Sequence, residues 1–229
     1  MKSLLKTSLM TALLAGVVGL AGSAYADPLL PNTTIAGPST TVFLGGVLLA
    51  TASSTFNNGA LAGTARVAVY SSGAGTCAGC LDFYYQFSNT GAAGVNDSVS
   101  RTTNFNFLSA AITTNVFQIT NGSLIGAGWQ NGTIVSLTAD RSPDGSTIGQ
   151  TFSMGVFAPG TTNLAFVIRT NATQFTLGNY AIIDGVSQNN LGFGPIAPTG
   201  VPEPASMLLL GTGLAGLAGA FRKSGRKAR

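Results

Sequence analysis

The sequence predicts an all-β protein, a single antiparallel β-sandwich or jelly-roll-like domain flanked by two short apolar segments. Three observations carry that expectation. Apolar and polar residues alternate over short runs, and Asn-Gly or Asp-Gly pairs punctuate those runs. Between residues 40 and 195, no helical period lasts longer than about two turns.

Residues 1–26 read as a secretory signal. Lys2 and Lys6 give a basic start, Leu9 to Leu20 form a short apolar run, and Ala24-Tyr25-Ala26 places small residues where a signal peptidase needs them. Cleavage before Asp27 is expected, with the rest of the chain passing the inner membrane.

Residues 27–188 form the expected ectodomain. In Leu81-Asp82-Phe83-Tyr84-Tyr85-Gln86-Phe87, the odd-numbered residues are all apolar or aromatic and share one face. Phe105 and Phe107 alternate with Asn104 and Asn106 in the same way, and Phe152, Met154 and Val156 line one face of a further strand. Leu164 to Ile168 is apolar on both faces, which suits a central strand covered twice. Asn121-Gly122 and Asn131-Gly132 sit between such runs as hairpin turns, because both turn positions need φ > 0. Asp144-Gly145 and Asp184-Gly185 add two more turns. Residues 189–204, with Gly192, Gly194, Pro195, Pro198 and Pro202, read as a linker.

The charge of this body differs from that of the whole chain. The net charge of +4 arises because the two ends carry the positive charge, while residues 27–201 hold four arginines against six aspartates, a balance of −2, and no Lys, Glu or His. A faintly acidic body gives no warrant for nucleic-acid binding. Few charges among many Gly, Ser, Thr and Asn residues suit an extracellular β protein, and about 175 residues suffice for one core.

The absence of His excludes Ser-His-Asp, Cys-His and His-metal hydrolases. Cys77-Ala78-Gly79-Cys80 supplies half of a structural zinc site, and Leu81 stands where covalent haem attachment needs His. In an oxidising compartment the pair reads as a local disulfide, with an intermolecular bond or a labile redox pair as alternatives. Asp140 and Asp144 are the nearest carboxylates, but Asp140-Arg141-Ser142-Pro143-Asp144-Gly145 reads as a polar turn rather than a glycosidase pair or a calcium loop. Trp129 and Tyr84, with Tyr70 and Tyr180, could stack on sugar rings if exposed; the alternative is packing. Neither a catalytic residue, a metal nor a cofactor is expected.

The chain closes on VPEPASMLLLGTGLAGLAGAFRKSGRKAR, residues 201–229. Pro202, Glu203 and Pro204 cannot be regular helix or central strand. Residues 205–221 carry no charge and span about 25 Å as a helix, at the short limit for a bilayer core of about 30 Å. Arg222, Lys223, Arg226, Lys227 and Arg229, in the tail 222–229, hold that end in the cytoplasm. Gly211, Gly213, Gly216 and Gly219 weaken the span, and Thr212/Gly216 and Ala215/Gly219 permit close approach of another helix.

Pro-Glu-Pro, a short Gly/Leu/Ala-rich helix and a basic terminus together resemble the PEP-CTERM sorting signal of Gram-negative bacteria. The resemblance covers residues 201–229 and implies an exosortase, a transpeptidase-like membrane enzyme, as partner. Pro202, Glu203 and Pro204 would be its recognition element. It further implies transient membrane anchoring, then a cell-surface or extracellular location associated with exopolysaccharide or biofilm. The expected function is therefore a non-enzymatic matrix protein; a carbohydrate-binding module tethering exopolysaccharide is the alternative.

Overall fold

Alternation of the kind read above becomes strand only where a neighbour takes up the backbone hydrogen bonds. A computed structural model describes residues 26–57, 59, 61–72, 79–91, 98–107, 112–120, 128–184 and 186–196. Among them are thirteen strands and no helix: β1 (Asp27–Pro28), β2 (Thr34–Ala36), β3 (Thr40–Thr41), β4 (Leu48–Asn57), β5 (Ala62–Ser71), β6 (Leu81–Asn89), β7 (Arg101–Asn104), β8 (Thr114–Ile119), β9 (Thr138–Arg141), β10 (Ile148–Thr151), β11 (Ala165–Thr170), β12 (Phe175–Asp184) and β13 (Val186–Pro195). Packing assigns Met1–Ala197 to one unit and Pro198–Arg229 to a second, which lies outside the described residues.

The strands make two sheets, as an all-β sandwich requires. The larger runs β1-β8-β11-β6-β5-β4, with β3 beside β8; the smaller runs β13-β12-β7-β10-β9-β2. Every strand pairing is antiparallel except β3 with β8. Leu81, Phe83, Tyr85 and Phe87 of β6 share a core with Ile148, Tyr180 and Ile182 of the smaller sheet. Each such side chain contributes roughly 1.5–3 kcal/mol on full burial.

The opposite face of the larger sheet is covered as well. Ala68, Tyr70, Tyr84, Phe117, Ile119, Ala165 and Val167 form a second cluster, roofed by Phe43, Leu44, Leu48 and Trp129 from loops and the start of β4. Consequently β6 and β11 are buried at every position. The doubly apolar run from Leu164 to Ile168 is thus placed near the middle of the sheet, as its composition requires.

Turn chemistry succeeds where the turn is local. Ile148 pairs with Arg141, and Asp144-Gly145 closes the β9–β10 hairpin with Gly145 at φ 75°. Asp144 accepts hydrogen bonds from Ser142 Oγ and from Ser146 Oγ and N, which hold its carboxyl down at about 2. The β12–β13 ladder continues to Asp184 opposite Val186; Gly185, between them, lies outside the described residues. Asn121-Gly122 also lies outside them.

Three expectations need correction. Asn131-Gly132 is not a hairpin turn. Gly132 has no left-handed φ; a Cβ there would instead overlap the Asn163 carbonyl, because the segment bridges Asn163 through Ile134 in parallel. Phe152, Met154 and Val156 do not share a strand face: β10 stops at Thr151, Phe152 turns inward, and Met154 is 99% exposed in a turn with Gly155 at φ 76°. The first part of the linker expected over residues 189–204 is not linker, because Val186–Pro195 is strand paired along β12; its glycines allow close packing, Gly194 lying against the Asn106 carbonyl, and residues 197–204 lie outside the described residues.

Close approach and turn geometry make opposite demands on Gly132. Gly132→Ala and Gly132→Asn should both lower unfolding free energy by about 1–3 kcal/mol in urea titrations. A turn with φ > 0 would tolerate Asn far better than Ala, so stability retained by Gly132→Asn alone would count against the packing account.

Candidate functional site

The covered outer face of the larger sheet brings together most of the side chains with chemical capacity. Register places Arg66 opposite Gln86, Ala68 opposite Tyr84, and Tyr70 opposite Asp82 across β5 and β6. On the other side of β6, Arg169 of β11 stands opposite Asp82. Each of Asp82 and Arg169 is a lone charge in an apolar run, and burial pairs them with each other.

Their pair is bidentate. Arg169 Nε donates to Asp82 Oδ1 at 3.0 Å and Nη2 to Oδ2 at 2.8 Å. Asp82 is fully buried, and the guanidinium carbon lies 5.2 Å from the Phe117 ring centroid. Burial pushes the Asp82 carboxyl above the usual carboxylate range, with the Arg169 hydrogen bonds and charge pulling against it.

Above this pair sits an aromatic roof. Phe43, Tyr70 and Tyr84 meet edge to face, and Trp129 leans on Tyr84 with ring centroids 6.3 Å apart. Tyr70 and Tyr84 are buried, as is Tyr180 in the inter-sheet core; burial raises the pKa of all three phenols. Tyr84, expected as a glycan contact, is therefore unavailable to a ligand, and so are Tyr70 and Tyr180. Alternation placed Tyr84 opposite the main core, but the roof covers that face too. Trp129 is only half-buried.

A polar flank continues from the roof. Gln86 Nε2 donates to the Gln130 carbonyl at 2.8 Å, and Gln130 N donates back to Gln86 Oε1 at 2.9 Å, pinning the Trp129 segment to the sheet. Ser88 Oγ donates to Gln130 Oε1 and accepts from Arg66 Nη1, each at 3.0 Å. Thr162 Oγ1 closes the network on Ser88 at 3.0 Å. Arg66 is half-exposed, its pKa is lowered by partial burial, and among the described residues it has no carboxylate partner. A half-exposed indole, a guanidinium and a row of hydroxyl and amide groups can hold a polyol, particularly an acidic one.

Other candidates lie elsewhere. Asp140 is committed to Arg101, whose Nη1 and Nη2 each lie 2.6 Å from its carboxylate after crossing Gly149 on β10; a Cβ on that glycine would collide with the guanidinium. Asp144 belongs to the β9–β10 turn and forms no pair with Asp140. Cys80 is buried and disulfide-bonded; Cys77, the chain's other cysteine, falls outside the described residues. Ala26 is half-buried against the second cluster, whereas Ala24 is not described. Among the described residues there is no helix long and apolar enough to cross a membrane; residues 205–221, the Pro-Glu-Pro element and the basic cluster lie outside them.

Comparison with known families finds the PEP-CTERM protein-sorting motif over residues 200–223. The chain carries a PEP-CTERM motif. That motif implies export and processing by an exosortase, a membrane enzyme, and is consistent with transient anchoring in the membrane. The match includes Pro202, Glu203 and Pro204 and ends at Lys223, so it does not extend into the ectodomain. No curated protein and no solved structure matches the chain.

The buried pair makes a directional prediction. Arg169→Met strands the Asp82 carboxylate and should cost about 3–5 kcal/mol at neutral pH. With its folded pKa raised above the unfolded value of about 3.9, Asp82 then contributes stability that is full below that pH and is lost as pH rises through the folded value. Denaturant titrations from acid to neutral pH should show the variant's deficit growing, and adding Asp82→Asn should remove that slope.

Proposed function

We propose that this protein is a non-enzymatic, exported component of the cell surface or extracellular matrix, delivered there through its PEP-CTERM signal. The observation that carries the reading is the sorting motif at residues 200–223. In this account signal peptidase acts after Ala26, residues 205–221 hold the chain in the membrane until an exosortase acts near Pro202-Glu203-Pro204, and the β domain is the cargo. Three of the described carboxylates support a structural rather than catalytic body: Asp82 and Asp140 are tied to arginines, and Asp144 is tied into a turn.

A second reading is favoured by a specific observation. Arg66 and the half-exposed Trp129 flank a hydroxyl- and amide-rich strip on β5 and β6, which suits a carbohydrate-binding module that tethers acidic exopolysaccharide.

Two measurements test these readings. Deletion of residues 201–229 should shift the protein out of the membrane and surface fractions into the soluble exported fraction; unchanged fractionation would defeat the sorting account. For the tether, Arg66→Ala and Trp129→Ala should each weaken retention on an acidic polysaccharide about tenfold, matching the loss of one charge-assisted or stacking contact. Equal retention of wild type and both variants sinks the module while leaving sorting untouched.

A further inference from the structure

The stretch Leu48–Asn57, LLATASSTFN, contains no charge, no proline and no glycine. It forms β4, the last strand of the larger sheet, paired with β5 on one side; among the described residues no strand pairs with its other side. An edge of this kind offers a row of unpaired N–H and C=O groups, and proteins ordinarily blunt it with brevity, Lys, Pro or a bulge. Two of the other edges are blunted, and the third, as long as β4, is weakened by glycine. The strand β1 has two residues including Pro28, β2 has three and runs into Gly37-Pro38, and β13 carries Gly192 and Gly194 and ends at Pro195.

In β4 the only irregularity is a bulge between Leu48 and Ala50; from Ala50 to Asn57 the register with β5 is continuous. Its inner face is fixed, since Ala50, Ala52 and Phe56 pack on the main core and Phe56 stacks on Phe87 at 5.2 Å. Ser54 Oγ donates to Asn190 Oδ1 at 3.2 Å, tying the strand to β13 of the opposite sheet. The edge is therefore held extended and flat by the rest of the molecule.

We infer that β4 is a self-association edge, which pairs antiparallel with β4 of a second copy about a two-fold axis and joins the two larger sheets into one. Isologous pairing sets a strand against itself, so a charge near the two-fold axis would face its own copy. The strand carries none, and its outward residues Thr51, Ser53 and Thr55 are small. The nearest charge is Arg66, one strand inward and opposite Ser53. In the joined sheet two copies of Arg66 lie three strand spacings apart, about 14 Å. That exceeds the screening length of about 8 Å at physiological salt, so their repulsion is slight. Val47 and Leu49, 66% and 48% exposed at the start of the strand, would gain cover at each end of the pair. The inference rests on the edge alone and stands apart from the sorting and glycan readings.

The test is sedimentation of the full chain purified in detergent. Wild type should be dimeric at micromolar concentration, and Ser53→Lys or Thr51→Lys should weaken the dimer at least tenfold while leaving the circular dichroism of the folded chain unchanged. A Ser53→Cys chain should join to its own copy through a short thiol cross-linker. A monomeric wild type overturns the inference. So does a dimer that both Lys variants leave intact, which would place association in the apolar C-terminal segment. A monomeric Ser53→Cys chain whose introduced thiol resists reagents overturns it as well, showing a segment of the same chain on the edge.

Discussion

Water reaches neither face of the central strands of the larger sheet, and the rest of the molecule is arranged around that exclusion. β6 and β11 touch the smaller sheet on one side and the roof of Phe43, Leu44 and Trp129 on the other. Any polar group on these strands must find its partner inside the protein, because an unpaired buried charge costs several kcal/mol. Asp82 and Arg169 answer that demand directly across the β6–β11 ladder. Gln86 answers it by binding the Trp129–Gln130 segment through two amide hydrogen bonds, and that segment in turn helps exclude water.

The same logic separates structural charges from available ones. Arg101 arches over Gly149 to Asp140, and Arg141 is buried against the carbonyls of Gly145, Leu29 and Phe107. Arg66 differs: its contact is the Ser88 hydroxyl, which bonds Gln130 beside the half-exposed Trp129, and it remains half-exposed itself. In the proposed tether reading, an acidic polyol would sit on β5 and β6 at the margin of the roof.

Several parts of this were legible in the sequence because they are local. Leu81 to Phe87 alternates at the period of a strand, and Asp144-Gly145 supplies a turn whose hydrogen bonds lie within a few residues. Asn131-Gly132 has the same local signature and a different cause: its glycine makes room for the Asn163 carbonyl, a contact set by packing between distant segments. Met154 follows Phe152 at strand spacing, yet Thr151 is the last residue of β10 paired on both sides. Tyr84 was misplaced as a ligand contact for a similar reason. Alternation separates two faces of a strand but is silent on whether a remote loop covers the second.

By itself, the sequence determined that the body is extended, turn-rich and low in charge, and that its end bears Pro-Glu-Pro, an apolar segment and a basic cluster. Those features follow from residue types at short spacing. Tertiary structure alone decided that the larger sheet is buried twice, that Asp82 meets Arg169 and Asp140 meets Arg101, and that among the described residues no strand covers the outer edge of β4. Strand order and loop placement set those outcomes, and both depend on pairings between segments tens of residues apart that no short stretch specifies.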